Sequence, residues 1–176
     1  MSAVSPSVPA ELVAALSGFD AALEVGIGRR TTAASQLADR GTSVVAIDVD
    51  SDAASDVPEG VAFAEADVRD LADAPDPVAE LRERVVEGGS DSDPSSLTTV
   101  PPAFDLVYAL NLPAELQRPT VALAERLGAG CAFTTLGFEE PVVDVERRTV
   151  GSDTLYVAAG RGSGAGALDA LDSGGR

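Results

Sequence analysis

The hydrophobic and polar positions of this chain fall into blocks that predict strands and helices in alternation. Short apolar runs, typical of strands buried on both faces, occupy residues 21–25, 43–47, 61–65, 104–110 and 131–136. Apolar residues at helical spacing occupy 9–16, 31–40, 75–86 and 113–127. Residues 142–150 and 154–159, with Gly151 between them, predict an antiparallel hairpin. The order predicts an α/β fold of three layers (αβα), with a Rossmann-like, mostly parallel sheet and a C-terminal antiparallel hairpin.

The domain boundaries follow from length and from composition shifts. A chain of 176 residues suits one domain, which we place at residues 9–160. The segment 87–102 is rich in Gly, Ser, Asp and Pro and has no period, so we expect a flexible insertion there. Residues 1–8 and 161–176 are small, polar or glycine-rich, and we expect both ends to be disordered.

Charge and composition set limits on function. The formal net charge is −17, and all 12 basic residues are arginine. A surface this acidic argues against a nucleic-acid partner. The acid-rich, lysine-free composition also resembles that of proteins from salt-loving archaea, where charge keeps a surface hydrated in concentrated salt. We prefer this second interpretation, in which the charge reports the solvent and not a partner.

Missing residue types exclude several chemistries. The chain has no histidine, which removes Ser-His-Asp and Cys-His catalysis and argues against a zinc site. Cys131 is the only cysteine, so there is no disulfide framework. No apolar run reaches the length of a membrane span, and no basic segment followed by an apolar one begins the chain. We therefore expect a cytoplasmic protein with no membrane partner; the sequence leaves its oligomeric state open.

The strongest chemical signal is the segment ALEVGIGRRT at residues 22–31. Gly26 and Gly28 let the backbone turn sharply and come close to a ligand. The helix that follows offers free N–H groups and a partial positive charge to an anionic group. The placement of this bend between a buried strand and a helix predicts a cofactor site; the alternative is a plain strand-to-helix turn.

The residues around the glycines distinguish two classes of cofactor. A nicotinamide-dinucleotide site has a third small residue where this chain has Thr31, and usually an apolar residue in place of Glu24. The spacing E-x-G-x-G instead resembles the first motif of class I S-adenosylmethionine-dependent methyltransferases. That resemblance implies that Glu24, Gly26 and Gly28 line the methionine and ribose parts of S-adenosylmethionine. Arg30 stands where that family usually has a third glycine.

Acids at the ends of two further strands extend the candidate site. Asp48 ends the second strand, 20 residues after Gly28, where a carboxylate can accept both hydrogen bonds of a ribose diol; the alternative is a solvated strand-end acid. Asp67 follows the third strand and resembles the methyltransferase acid near the adenine amino group. In so acidic a chain, chance placement explains Asp67 equally well.

Two further features have a binding and a structural interpretation each. Arg29 and Arg30 precede a helix N-terminus, where cations are unfavourable unless an anion binds or neighbouring acids neutralise them. Asn111 follows the fourth strand, where methyltransferases often hold a polar loop beside the transferred methyl. It is either a substrate-side residue or a turn residue before the helix at Pro113.

The chain as a whole resembles a small archaeal family, the uncharacterised protein family 0146. The resemblance rests on the segments LEVGIGRRT, VVAIDVD and DLVYALNLPAELQ and on the closing hairpin. It implies a short Rossmann-like protein related to methyltransferases, with no assigned reaction.

Three functions are consistent with these features. The first is a protein that binds S-adenosylmethionine and acts as a methyltransferase if it is an enzyme. The second is an NAD(P)-binding protein in which Arg29 or Arg30 meets a phosphate. The third is a regulatory or scaffold subunit that keeps the fold without catalysis. No residue of the sequence is singled out as catalytic.

Overall fold

The computed structural model describes residues 8–87 and 100–158. The expectations for residues 1–7, for 88–99 of the insertion and for 159–176 lie outside the described residues. The helices are α1 (Ala10–Leu16), α2 (Thr32–Asp39), α3 (Val68–Asp73), α4 (Pro77–Glu87) and α5 (Ala114–Leu127), with a 3-10 helix at Ser51–Asp56. The strands are β1 (Ala21–Val25), β2 (Ser43–Asp48), β3 (Val61–Glu65), β4 (Leu106–Ala109), β5 (Gly130–Phe133), β6 (Val145–Val150) and β7 (Asp153–Ala158).

The strands form one seven-stranded sheet in the order β3-β2-β1-β4-β5-β7-β6. The first five strands pair in parallel, and β7 pairs antiparallel with both β5 and β6. The predicted α/β class, the mostly parallel sheet and the C-terminal hairpin are therefore confirmed. The hairpin turns through Gly151 and Ser152, since Val150 pairs with Asp153.

Helices cover both faces of the sheet because alternate strand residues point to opposite sides. On one face, Leu23 and Val25 of β1 share a core with buried residues of α3, α4 and α5. On the other face, Ala22 shares a core with buried residues of α1 and α2, among them Leu37. No helix in the described part of the chain is long and apolar enough to cross a membrane.

Two short elements were not predicted. The 3-10 helix begins after Asp50, whose side chain accepts a hydrogen bond from the Asp52 N–H, and α3 begins after Asp67 in the same way. In addition, the fourth and fifth strands are shorter than their apolar runs, because the chain leaves the sheet after Ala109 and after Phe133. Val100, placed in the predicted insertion, is buried in the core.

Candidate functional site

The strand order reverses between β1 and β4, and this defines the crevice of the sheet. β1 is followed along the chain by β2 on one side, whereas β4 lies on its other side. In open α/β sheets ligands bind outside the carboxyl ends of the strands at such a reversal. The candidate site is therefore the space above the ends of β1, β2 and β4.

The bend that follows β1 is open on its outer side. Gly26 and Gly28 have φ values of +71° and +52°, in the left-handed region that glycine tolerates best. A Cβ added at either glycine would meet no atom within 4 Å. The start of the bend is joined to β2, because the Gly26 and Ile27 N–H groups both donate to the Ile47 carbonyl, at 2.9 and 3.2 Å. The bend is thus anchored on one side and accessible on the other.

Asp48 points at the bend. Its Oδ2 accepts a hydrogen bond of 2.8 Å from the Gly28 N–H, and its Oδ1 accepts one of 2.9 Å from the Asp50 N–H. Each carboxylate oxygen has a second lone pair free for a further donor. The side chain is half-buried at the end of β2. The carboxylate is therefore fixed beside the second glycine, where sequence reasoning placed a ribose contact.

Glu24 is buried, unlike the other acids of the site. Its side chain is 2% exposed, and its Oε2 accepts a hydrogen bond of 2.7 Å from the hydroxyl of Tyr108, which is also buried. Burial raises the pKa of Glu24 to about 7, and the hydrogen bond from Tyr108 opposes that rise. Burial also raises the pKa of Tyr108 well above its ordinary value, with a contribution from the Glu24 charge. Glu24 thus lies below the surface of the site and not on it.

The two arginines of the bend are exposed. Within residues 8–87 and 100–158, neither Arg29 nor Arg30 forms an ion pair with an acid. The helix that follows begins after Thr31, whose side chain makes no capping hydrogen bond. One interpretation of these arginines was that neighbouring acids neutralise them, and no contact among the described residues supports it.

The remaining predicted residues lie at neighbouring strand ends. Asp67 follows β3, and its Oδ1 accepts a hydrogen bond of 2.9 Å from the Arg69 N–H, so it caps α3. Asn111 follows β4 with a φ of +56°, and its N–H donates to Thr134 Oγ1 at 2.8 Å. Asn111 thus has the geometry of the turn residue that was its alternative interpretation, whereas the capping role of Asp67 was not predicted. The half-buried Asn111 still lies on the β4 side of the crevice.

Sequence reasoning missed two residues of this region. Tyr108 lies within an apolar run and has the pattern of a core residue. Its hydrogen bond to Glu24 follows only from the register that pairs the two residues on β4 and β1. Val49 follows Asp48 and is 66% exposed, which is unusual for a valine beside a buried strand. The signal for Val49 was present in the sequence, as an apolar residue between two acids at a strand end.

Comparison with known proteins identifies relatives of the whole chain. Residues 7–74 and 95–161 match the model of the Uncharacterised protein family (UPF0146). UPF0146 proteins from two strains of Halobacterium salinarum are 42% identical over 151 residues, which is 85% of this chain and 95% of theirs. These relatives come from a salt-loving archaeon, in line with the acidic composition.

Solved structures share the fold at lower similarity. A candidate type II methyltransferase from Anaeromyxobacter dehalogenans is 19% identical, with a TM-score of 0.51. The match covers 84% of this chain and 53% of the other, so this chain spans about half of that structure. Identity this low establishes the fold alone, which is the Rossmann-like fold of methyltransferases.

Proposed function

This chain belongs to the uncharacterised protein family UPF0146, and from that premise we propose that it binds S-adenosylmethionine in the crevice above β1, β2 and β4. The observation that carries the proposal is the hydrogen bond from the Gly28 N–H to Asp48 Oδ2. It fixes a carboxylate beside an open glycine bend at the point where the strand order reverses. Such a carboxylate accepts hydrogen bonds from the two hydroxyls of a ribose.

The surrounding residues suit the other parts of the same ligand. The exposed Val49 offers an apolar surface for the adenine ring, next to the acid that receives the sugar. Asp67 lies one strand further, and the Ala66 N–H before it donates to the Asp48 carbonyl, which keeps these strand ends together. We assign the exposed Arg30 to the carboxylate of the methionine part. Asp48 suits the adenosine ribose of a dinucleotide equally well, and the E-x-G-x-G spacing of Glu24, Gly26 and Gly28 is what favours S-adenosylmethionine.

The residues on the β4 side fit an acceptor substrate. Asn111 lies across the strand reversal from the glycine bend, at the end of β4. S-adenosylmethionine supplies an electrophilic methyl group, and transfer requires mainly that donor and acceptor be aligned. We therefore place the acceptor near Asn111, whose side chain can hold a hydrogen-bonding group of the substrate. The absence of histidine is compatible with this chemistry.

Calorimetric titration of the full chain with S-adenosylmethionine, in molar KCl, tests the proposal. We expect saturable binding, with NAD giving no heat. Asp48→Asn replaces one carboxylate oxygen with a nitrogen that cannot accept a hydrogen bond. Loss of a charge-assisted hydrogen bond corresponds to roughly a tenfold to hundredfold loss of affinity.

Asp50→Asn is the matched control. Asp50 lies two residues away and its side chain caps the 3-10 helix, a task that asparagine also performs. This variant should bind like the unmodified chain. No binding at millimolar ligand, or equal affinity for both variants, would contradict the proposal. Mass spectrometry of small molecules that survive native purification gives a second, independent test.

A further inference from the structure

The centre of the sheet contains a buried pair of ionisable side chains. Glu24 on β1 and Tyr108 on β4 are partners in the parallel register, and their side chains are joined by a hydrogen bond of 2.7 Å. Removing a carboxyl group from water is unfavourable, and apolar residues of similar size commonly pack as well or better at such positions. Packing alone therefore does not account for an acid at this position.

The pair lies beneath the glycine bend. Ala22 and Tyr108 belong to the core on the face that carries α1 and α2, and Glu24 shares that face because side chains alternate along β1. The bend begins two residues after Glu24 and leads the chain to α2 on this same face, with Ile27 packed into the same core. The Glu24 carboxyl is consequently buried on the face of the sheet over which the bend of the proposed ligand site passes.

Few charges surround the carboxyl. Ala46 is its neighbour on β2, and the buried residues that α1 and α2 pack on this face are apolar. Tyr108 is the one titratable group that contacts Glu24 among the described residues. Burial raises the pKa of Glu24 to about 7, so its protonated and ionised forms are both populated near neutral pH. A positive charge brought close to it favours the ionised form.

We infer that Tyr108 is a positioning residue that holds the Glu24 carboxyl under the bend, and that this pair couples the binding of a cationic ligand to the release of one proton. The inference rests on the proposed function, since S-adenosylmethionine carries a sulfonium and an ammonium group. The proton leaves the Glu24 carboxyl for the buffer, and the carboxylate that remains keeps the hydrogen bond from Tyr108. The ligand is not chemically changed in this step.

Calorimetry in two buffers of different ionisation enthalpy counts the protons released per ligand bound. For a group of pKa about 7 that becomes fully ionised in the complex, we expect release of about half a proton at pH 7 and nearly one at pH 6. S-adenosylhomocysteine lacks the sulfonium charge and should release less. Glu24→Gln should release none, because glutamine does not titrate.

Tyr108→Phe tests whether Tyr108 positions the Glu24 carboxyl or only packs in the core, because it removes the hydroxyl and keeps the ring. The hydrogen bond from Tyr108 lowers the pKa of Glu24, so its loss should move the midpoint of proton release to higher pH. Equal release by the unmodified chain and Glu24→Gln would overturn the inference, as would an unchanged midpoint in Tyr108→Phe.

Carboxyl NMR of the ligand-free chain tests the pair without any binding. We expect Glu24 to titrate near pH 7 and to titrate higher in Tyr108→Phe. Titration at the ordinary value of 4.5 would overturn the inference. If S-adenosylmethionine gives no heat while Glu24 titrates as expected, the proposed function and the ligand coupling both fail. Binding without proton release removes the coupling alone.

Discussion

Replacing Glu24 with glutamine should stabilise the protein at pH 8 and leave it nearly unchanged at low pH. Glutamine has the shape of the protonated acid and can accept the hydrogen bond from Tyr108. Below pH 4.5 the carboxyl is protonated in both the folded and the unfolded chain, so the two proteins differ little. Above the folded pKa of about 7, folding buries a carboxylate in the unmodified protein and a neutral amide in the variant.

The size of the effect follows from the two pKa values. A group whose pKa is raised by folding contributes stability that is present below its unfolded pKa and is lost as the pH rises through its folded pKa. The interval from 4.5 to about 7 corresponds, at about 1.4 kcal/mol per pH unit, to about 3 kcal/mol. Between pH 5 and pH 8 the difference between the proteins should change by roughly 2 to 3 kcal/mol, because part of the titration lies below pH 5.

Urea unfolding of both proteins at pH 5, 6, 7 and 8, in one fixed concentration of KCl, measures this change. The difference between the two curves matters, since the remaining acids titrate alike in both proteins and their contributions cancel. A difference that stays constant from pH 5 to pH 8 would refute the reasoning. It would mean that Glu24 has an ordinary pKa in the folded protein and that its burial has no energetic consequence.

Tyr108→Phe should act in the opposite direction in the same experiment. This variant leaves the Glu24 carboxylate buried without its hydrogen bond, which costs about 1.5–3 kcal/mol for a charged acceptor. The loss should therefore be larger at pH 8 than at pH 5. In the Glu24→Gln background the loss caused by Tyr108→Phe should no longer depend on pH, because the titrating group is absent.

Three further predictions concern the frame of the site. Gly128→Ala should lower the free energy of unfolding by about 1 kcal/mol, measured in urea. Gly128 ends α5 in the left-handed region at a φ of +66°, and a Cβ added there would meet no atom within 4 Å, so backbone strain is the only cost. Thr134→Val should lower the free energy of unfolding by about 1–2 kcal/mol, since the Asn111 N–H then loses its acceptor. The hydrogen exchange of the Asn111 amide should also become faster. Phe138→Ser should change the unfolding free energy by less than about 0.5 kcal/mol, because the side chain is 105% exposed; a larger loss would indicate an unrecognised contact.

The sheet was predictable because strands buried on both faces have a simple sequence pattern. The observed bounds of β1 and β3 are those of the apolar runs at 21–25 and 61–65. Helix α3 escaped prediction because its six residues include only two buried ones, Val68 and Leu71, and this is too few to define a helical period. The sequence pattern thus locates long elements well and short capped turns poorly.

The candidate site was predictable as a set of residues and not as a set of contacts. Glycine spacing and strand-end acids identified Gly26, Gly28 and Asp48, because turn geometry and strand ends are local features of the chain. The partner of Glu24 was not accessible in this way. Tyr108 lies 84 residues away, and only the pairing of β1 with β4 brings the two side chains together.

The two acids of the candidate site, Asp48 and Glu24, lie in different environments. Asp48 lies at the solvent edge and is held by two backbone N–H groups, so it is suited to receive the hydroxyls of a sugar. Glu24 lies under the bend with a single phenol as partner, so it is suited to respond to charge. In the proposed complex a sugar would contact Asp48, whereas a positive centre of the same molecule would act on the buried Glu24 through its charge alone. S-adenosylhomocysteine keeps the ammonium group and lacks the sulfonium, and the difference in affinity between the two ligands measures how much the sulfonium charge contributes to recognition.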